Sequence, residues 1–157
     1  VPGYDAHEHL QAIHEALGPA PSDAQTSVGV GHLGHALLDY LARSRPDLAV
    51  PRAFDVAPPL VGQRINDTEI RHIDELELLL REDPPRLGAL AVPRAYAPEI
   101  AERLVRIGVS ALLNFVPVRL DVPKNVHLEN VDIACSLDRA LYFARLENSV
   151  GAAGRGA

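Results

Sequence analysis

Methionine is absent from these 157 residues, cysteine and lysine occur once each, and aromatic residues make up only 4%. A lone cysteine, Cys135, cannot close an intramolecular disulfide. With neither a CxxC pair nor the apolar stretch of a signal peptide, the expected compartment is a reducing cytoplasm. The lone lysine, Lys124, follows Pro123 without an evident acid partner and is a poor Schiff base or proton donor. No apolar run approaches the roughly 20 residues that cross a bilayer, which excludes a membrane span. Positive charge is scarce: 15 Lys and Arg against 21 Asp and Glu leave a net charge of −6. The basic residues are scattered, whereas a nucleic-acid binder gathers them on one face to neutralise phosphates, so the chain alone is expected not to bind DNA. No Ser-His-Asp ordering, paired catalytic carboxylates or P-loop presents itself. The lack of any methionine, with Val1 in front, leads to the expectation that something has been removed ahead of Val1.

What remains is ordinary globular composition, 47% hydrophobic and 23% charged, at a length where one domain is the default. Asp5 as N-cap with Glu8 three positions on predicts a helix whose apolar face is Ala6, Leu10, Ile13 and Leu17, stopped by Gly18. Residues 1–23 thus read as a connecting helix and a Pro-rich linker. Strands and helices then alternate: strand 25–30, helix 32–44, strand 49–54, a turn holding Pro58 and Pro59, a short strand 70–73 and an acidic helix 74–81. After Asp83-Pro84-Pro85 come strand 87–92, helix 97–107 stopped by Gly108, strand 111–115, strand 126–131 and helix 133–146. Runs such as Leu90-Ala91-Val92 and Ala111-Leu112-Leu113 are apolar without alternation, as in strands covered on both sides. The expected fold is α/β, a doubly wound, mostly parallel sheet with helices on both faces over 24–131. A carboxyl-terminal helix (132–148) and a disordered tail (149–157) follow.

The chemistry concentrates at Gly29-Val30-Gly31-His32-Leu33-Gly34, a G-x-G-x-x-G turn that leaves a predicted strand and opens a predicted helix, the context of a Rossmann dinucleotide site. Gly29 permits the sharp turn, Gly31 has no Cβ to block a pyrophosphate, and Gly34 lets the helix approach while its first N–H groups face the phosphates. The bland alternative is a turn built for packing alone. Asp55, twenty-one positions beyond Gly34, matches the spacing of about 20 for a ribose-binding acid, with Val56 beside it. Its charge would repel a 2′-phosphate and favour NAD(H), although Arg52 stands close in sequence, and aspartates also end strands for structural reasons alone. Val92-Pro93 and Asn114-Phe115-Val116-Pro117 fall at the carboxyl ends of later strands, where open α/β sheets bind ligands, and are expected to flank the nicotinamide half. Prolines end strands for structural reasons too.

Other candidates are weaker. His32 and His35 lie too near the pyrophosphate turn to serve a hydride site. His7, His9 and His14 lack the i, i+4 pairing of a helical metal site, and Cys135 reads as a small core residue; no metal is expected. In helix 133–146, Ile133, Leu137, Ala140, Leu141 and Ala144 form one apolar stripe and Tyr142, Phe143 and Leu146 a second, too much for a helix with a wet side. A partner subunit is the expected cover, and packing of both stripes on the same subunit is the alternative.

From Gly3-Tyr4-Asp5 to about Phe143 the chain resembles the NAD(H)-sensing part of the Rex family of bacterial redox-sensing transcriptional repressors. The resemblance is carried by the glycine turn with Asp55, by Leu112-Leu113-Asn114-Phe115-Val116-Pro117, by Val122-Pro123 and by Glu129-Asn130-Val131-Asp132. It implies a homodimer whose terminal helix is swapped onto the partner. It also implies a reading of the NADH/NAD+ balance, with NADH closing the dimer and releasing DNA, and a winged-helix DNA-binding domain that is absent from this chain. Asp132 and Ile133 would then enter the partner's nicotinamide pocket. The sequence departs from the family at Ile133, where an aromatic is common, and at His32, where asparagine is common. The expectation is therefore a cytoplasmic sensor domain binding NADH and NAD+ without turnover. Rival readings are a small dehydrogenase or CoA-ligase-like subunit, and a dimerisation partner indifferent to ligand.

Overall fold

The computed structural model describes residues 25–48 and 50–153, together with Ala12 and Ala16, with side chains as far as Leu146. Apart from those two alanines, the expected connecting helix and linker, and with them His7, His9 and His14, lie outside the described residues.

Seven strands form one sheet in the order β3-β4-β2-β1-β5-β6-β7. These are β1 (Gln25–Val28), β2 (Arg52–Asp55), β3 (Arg64–Ile65), β4 (Thr68–His72), β5 (Leu87–Leu90), β6 (Ala111–Asn114) and β7 (His127–Asn130). Every neighbouring pair is parallel except β3 with β4. The helices are α1 (His32–Ser44), α2 (Leu76–Leu80), entered through a 3₁₀ turn at Ile73–Glu75, α3 (Ala97–Ile107) and α4 (Ile133–Ala153).

Side chains alternate across each strand, so the sheet has two cores. On β2, Phe54 belongs to the larger one, with Val28, Leu90 and Leu112 beneath Leu76 and Leu80 of α2 and Ile100 and Leu104 of α3. Its neighbour Ala53 faces the other way into a smaller cluster with Val30, Ile70 and Leu38 of α1. Leu76, Leu104 and Leu112 are fully buried, each worth roughly 1.5–3 kcal/mol. Glycine at position 88 brings α3 onto β5, since a Cβ there would stand 2.9 Å from Leu104 Cδ1. The two helices on this face are cross-tied. Arg103 Nε and Nη2 donate to the Glu77 carboxylate at 2.6 and 2.7 Å, and Nη2 also donates to the Ile73 carbonyl at 2.9 Å. That guanidinium holds the Glu77 carboxyl at about 2, well below its ordinary 4.5.

The doubly wound sheet is as expected, and α1 and α3 occupy the predicted spans. Gly108 ends α3 in the left-handed region, φ 115°, its N–H donating to the Leu104 and Val105 carbonyls. Two expectations need correcting. The chain between Pro59 and β4 is not a bare turn: β3 pairs antiparallel with β4 through Asn66, whose φ of 51° suits the short polar turn. The carboxyl-terminal helix does not give way to a tail at residue 149 but runs through Ala153, past Gly151; residues 154–157 lie outside the described set. Among the described residues no helix is long and apolar enough to cross a membrane.

Candidate nucleotide-binding site

The chain leaves β1 toward β2 and β4, then returns to lay β5 on the other side of β1. This reversal opens a crevice beyond the carboxyl ends of β1 and β5, the place where doubly wound sheets take ligands. The glycine turn lies there, and its three glycines answer different demands. Gly29 has φ 90°, and a Cβ would come within 2.3 Å of the Ala91 carbonyl oxygen, so the turn packs tightly on the loop after β5. A Cβ on Gly34 would lie 2.0 Å from the Gly29 oxygen. Packing alone explains those two. Gly31 is different: its backbone is extended, it is exposed, and a Cβ would meet nothing within 4 Å. Nothing among the described residues requires a glycine there, but a group lying on the turn would.

Gly31 is the N-cap of α1, its carbonyl accepting from His35 N at 2.8 Å. Among the described residues no side chain caps this helix, and its first turn holds no acid, so the N–H groups at its start keep their capacity for an anion. His32 is exposed and Leu33 is 40% exposed.

Asp55 ends β2 across the crevice and does more than wait for a sugar. Its Oδ2 accepts from Val30 N at 2.6 Å and its Oδ1 from Ala57 N at 2.8 Å. The carboxylate thus locks the glycine turn against the end of β2, and a carboxylate has roughly four acceptor sites, which leaves capacity for hydroxyl groups. Val56, 65% exposed, borders it as an apolar wall. Arg52 is removed from the question of a 2′-phosphate: it begins β2, three residues back, and its Nη1 donates to the Leu79 carbonyl at 3.3 Å.

Three residues expected at the site have their side chains committed elsewhere. Val30 is 2% exposed in the smaller core and offers the turn its main chain only. Val92 packs on the larger core. Asn114 is 1% exposed, and its side chain is fully occupied: Nδ2 donates to the Val116 carbonyl at 3.0 Å, the Val118 carbonyl at 3.3 Å and Asn130 Oδ1 at 2.9 Å, while Oδ1 accepts from Val116 N at 3.0 Å. Asn114 is a staple that shapes the loop after β6 and fixes it to β7.

That loop forms one wall of an open cleft of about 410 Å³ lined by Arg94, Asn114, Pro117, Arg119, Asn130 and Asp132 among others. Of the other residues expected here, Pro117 lines the cleft and is exposed, Pro93, next to Arg94 in the chain, is exposed, and Phe115 is half-buried. Asp132 closes the far side, with Oδ1 capping α4 through Cys135 N at 2.8 Å, and Ile133 beside it is 53% exposed. Arg94 and Arg119 line the cleft without having been among the residues expected at the site; an arginine directly after Val92-Pro93 was the available signal. Cys135, expected in the core, is exposed.

Helix α4 presents every described side chain to solvent, with Leu137 61%, Leu141 54%, Tyr142 59% and Phe143 57% exposed. Packing of both its stripes on the same subunit is thereby ruled out among the described residues.

Comparison with known proteins agrees with this arrangement. The family profile of the CoA binding domain matches residues 26–118. The redox-sensing transcriptional repressor Rex of Natranaerobius thermophilus is 34% identical over 145 residues, 92% of this chain and 66% of that protein. The chain therefore spans about two-thirds of that relative's length. The crystal structure of RSP, a Rex-family repressor, in complex with β-NADH superposes with a TM-score of 0.80 at 30% identity, covering 96% of this chain and 73% of that one. RSP in complex with β-NAD+ and operator DNA gives a TM-score of 0.78 at 31% identity, covering 99% and 72%.

Proposed function

The chain belongs to the Rex family of redox-sensing transcriptional repressors, within the CoA binding domain family, and we propose that it is an NAD(H)-sensing domain that binds without turnover. The amides at the start of α1 hold the diphosphate over Gly31, and Asp55 accepts the adenosine ribose hydroxyls while repelling a 2′-phosphate. The dinucleotide carries redox information as ring charge, since oxidised nicotinamide is cationic and reduced nicotinamide is neutral. The loops after β5 and β6 receive that ring, with Pro93, Phe115 and Pro117 around it, and Asp132 and Ile133 are the residues that reach the partner's ring.

The readout is association. The exposed apolar side chains of α4 seek a second copy; on the order of 400 Å² of apolar surface at about 25 cal/mol per Å² is worth roughly 10 kcal/mol before association costs. A homodimer whose two sheets are clasped by exchanged α4 helices has open and closed arrangements, and the ligand shifts their populations by its differential affinity. A chain of net charge −6 is by itself a poor match for DNA. The cytoplasm is its compartment.

The reading is carried by Gly31, whose missing side chain serves no contact among the described residues, at a helix start that no described side chain caps. Calorimetric titration with NADH, NAD+, NADPH and CoA tests it. NADH binding tightest supports the sensor; preference for CoA, which the family profile makes the second reading, supports a ligase-like subunit; equal affinity for NADH and NAD+ supports a ligand-indifferent dimerisation partner; and turnover of any small alcohol or acid refutes the sensor.

A further inference from the structure

We infer that Arg94 sets the preference between oxidised and reduced ligand, by placing a positive charge where the nicotinamide ring must lie. The inference rests on the NAD(H) reading above and adds a residue to it.

The glycine turn and Asp55 fix the ADP half over β1 and β2. The rest of an extended dinucleotide runs along the crevice in the only direction left, over β5 toward β6. From β2 to β6 there are three strand intervals, roughly 14 Å at about 4.8 Å each, so the ring arrives over the loops that follow β5 and β6. The cleft of about 410 Å³ is there. Its floor is apolar, Val116, Val118 and Val131, and suits a neutral ring.

Three charged side chains line it. Arg119 is 92% exposed and shares its charge with Asp121 at 3.7 Å, which dilutes its field. Asp132 favours a cation, but it is spent in part on capping α4. Arg94 is exposed, follows Pro93 directly on the loop from β5, and forms no ion pair or hydrogen bond among the described residues. A guanidinium stays protonated at any working pH, so its charge does not relax when a cationic ring enters. Oxidised nicotinamide meets like charge there and reduced nicotinamide does not.

The test compares the intact chain with Arg94→Gln and Arg94→Lys, measuring NAD+ and NADH affinities separately by calorimetry. Arg94→Gln is expected to tighten NAD+ about fivefold, roughly 1 kcal/mol, which lies between the aqueous and protein-surface limits for like charges several ångströms apart. NADH affinity stays within twofold, and Arg94→Lys keeps the original ratio. Raising the salt concentration narrows the preference of the unaltered chain and leaves that of Arg94→Gln flat. An unchanged ratio in Arg94→Gln overturns the inference while leaving the NAD(H) reading intact. Equal weakening of both ligands also overturns it, making Arg94 a general contact. Failure of the unaltered chain to bind either ligand overturns both readings, a result distinct from the other two.

Discussion

Replacing Asp55 by alanine separates the two tasks that the structure gives this carboxylate. In the ligand-free chain the substitution removes two short, charge-assisted hydrogen bonds, from Val30 N at 2.6 Å and Ala57 N at 2.8 Å. Bonds to a charged group are worth about 1.5–3 kcal/mol each, and Val30 is 2% exposed, so water cannot readily replace the lost acceptor. Solvent access on the Ala57 side recovers part of the loss, leaving a net destabilisation of about 2–4 kcal/mol, or roughly 5–15 °C in Tm for a domain of this size. On ligand binding the same substitution removes the acceptor for the ribose hydroxyls, a further loss of about 10- to 100-fold in NADH affinity. Thermal melting of the ligand-free chain reads the first effect and calorimetry the second. Selectivity keeps them apart: a merely loosened glycine turn weakens NADH and NADPH alike, whereas loss of the carboxylate's repulsion narrows the gap between them severalfold. Affinity for NADH unchanged within twofold refutes the ribose assignment, and an unchanged melting temperature refutes the locking role.

Three further outcomes follow from the same structure. Gly31→Ala, with no atom within 4 Å of the new methyl group, should melt within about 1 °C of the unaltered chain yet lose at least tenfold in NADH affinity, while Gly34→Ala, 2.0 Å from the Gly29 oxygen, should lose about 3 kcal/mol or more in a denaturant titration. Glu77 is held at about 2 by Arg103, below its unfolded 4.5, so its contribution is complete above pH 4.5 and fades as pH falls toward 2. At 36% exposure of the Glu77 side chain, solvent screening reduces this contribution to about 1–2 kcal/mol. Glu77→Gln should therefore be less stable than the unaltered chain at pH 7 and nearly equal to it at pH 2, as read by urea titration at both. Leu137→Glu with Leu141→Glu on α4 should yield a monomer in sedimentation velocity with its melting temperature little changed, because neither residue packs on its own sheet; a persisting dimer counts against α4 as the clasp.

What the sequence alone determined is what depends on short spacing. The glycine turn between β1 and α1, the spans of α1 and α3, the stop at Gly108 and the arrival of Asp55 at the end of β2 all follow from residues a few positions apart, or from the regular length of a strand-helix-strand unit. Unbroken apolar runs likewise pointed to a mostly parallel sheet with two covered faces, since strands exposed on one side alternate apolar with polar residues. Tertiary structure decided which atoms those residues have left to offer. Asn114 stands at a strand end, but β6 lies beside β7 in register, and its side-chain amide donates a hydrogen bond to Asn130 Oδ1, sixteen positions away. Asp55 looks like a free acid until the glycine turn folds over it, twenty-five residues back in the chain. Arg94 became part of a site only when loops following three separate strands converged on one cleft. A buried polar group must be satisfied by whatever the fold brings near it, and that neighbour is chosen by strand order and register, which no local pattern encodes.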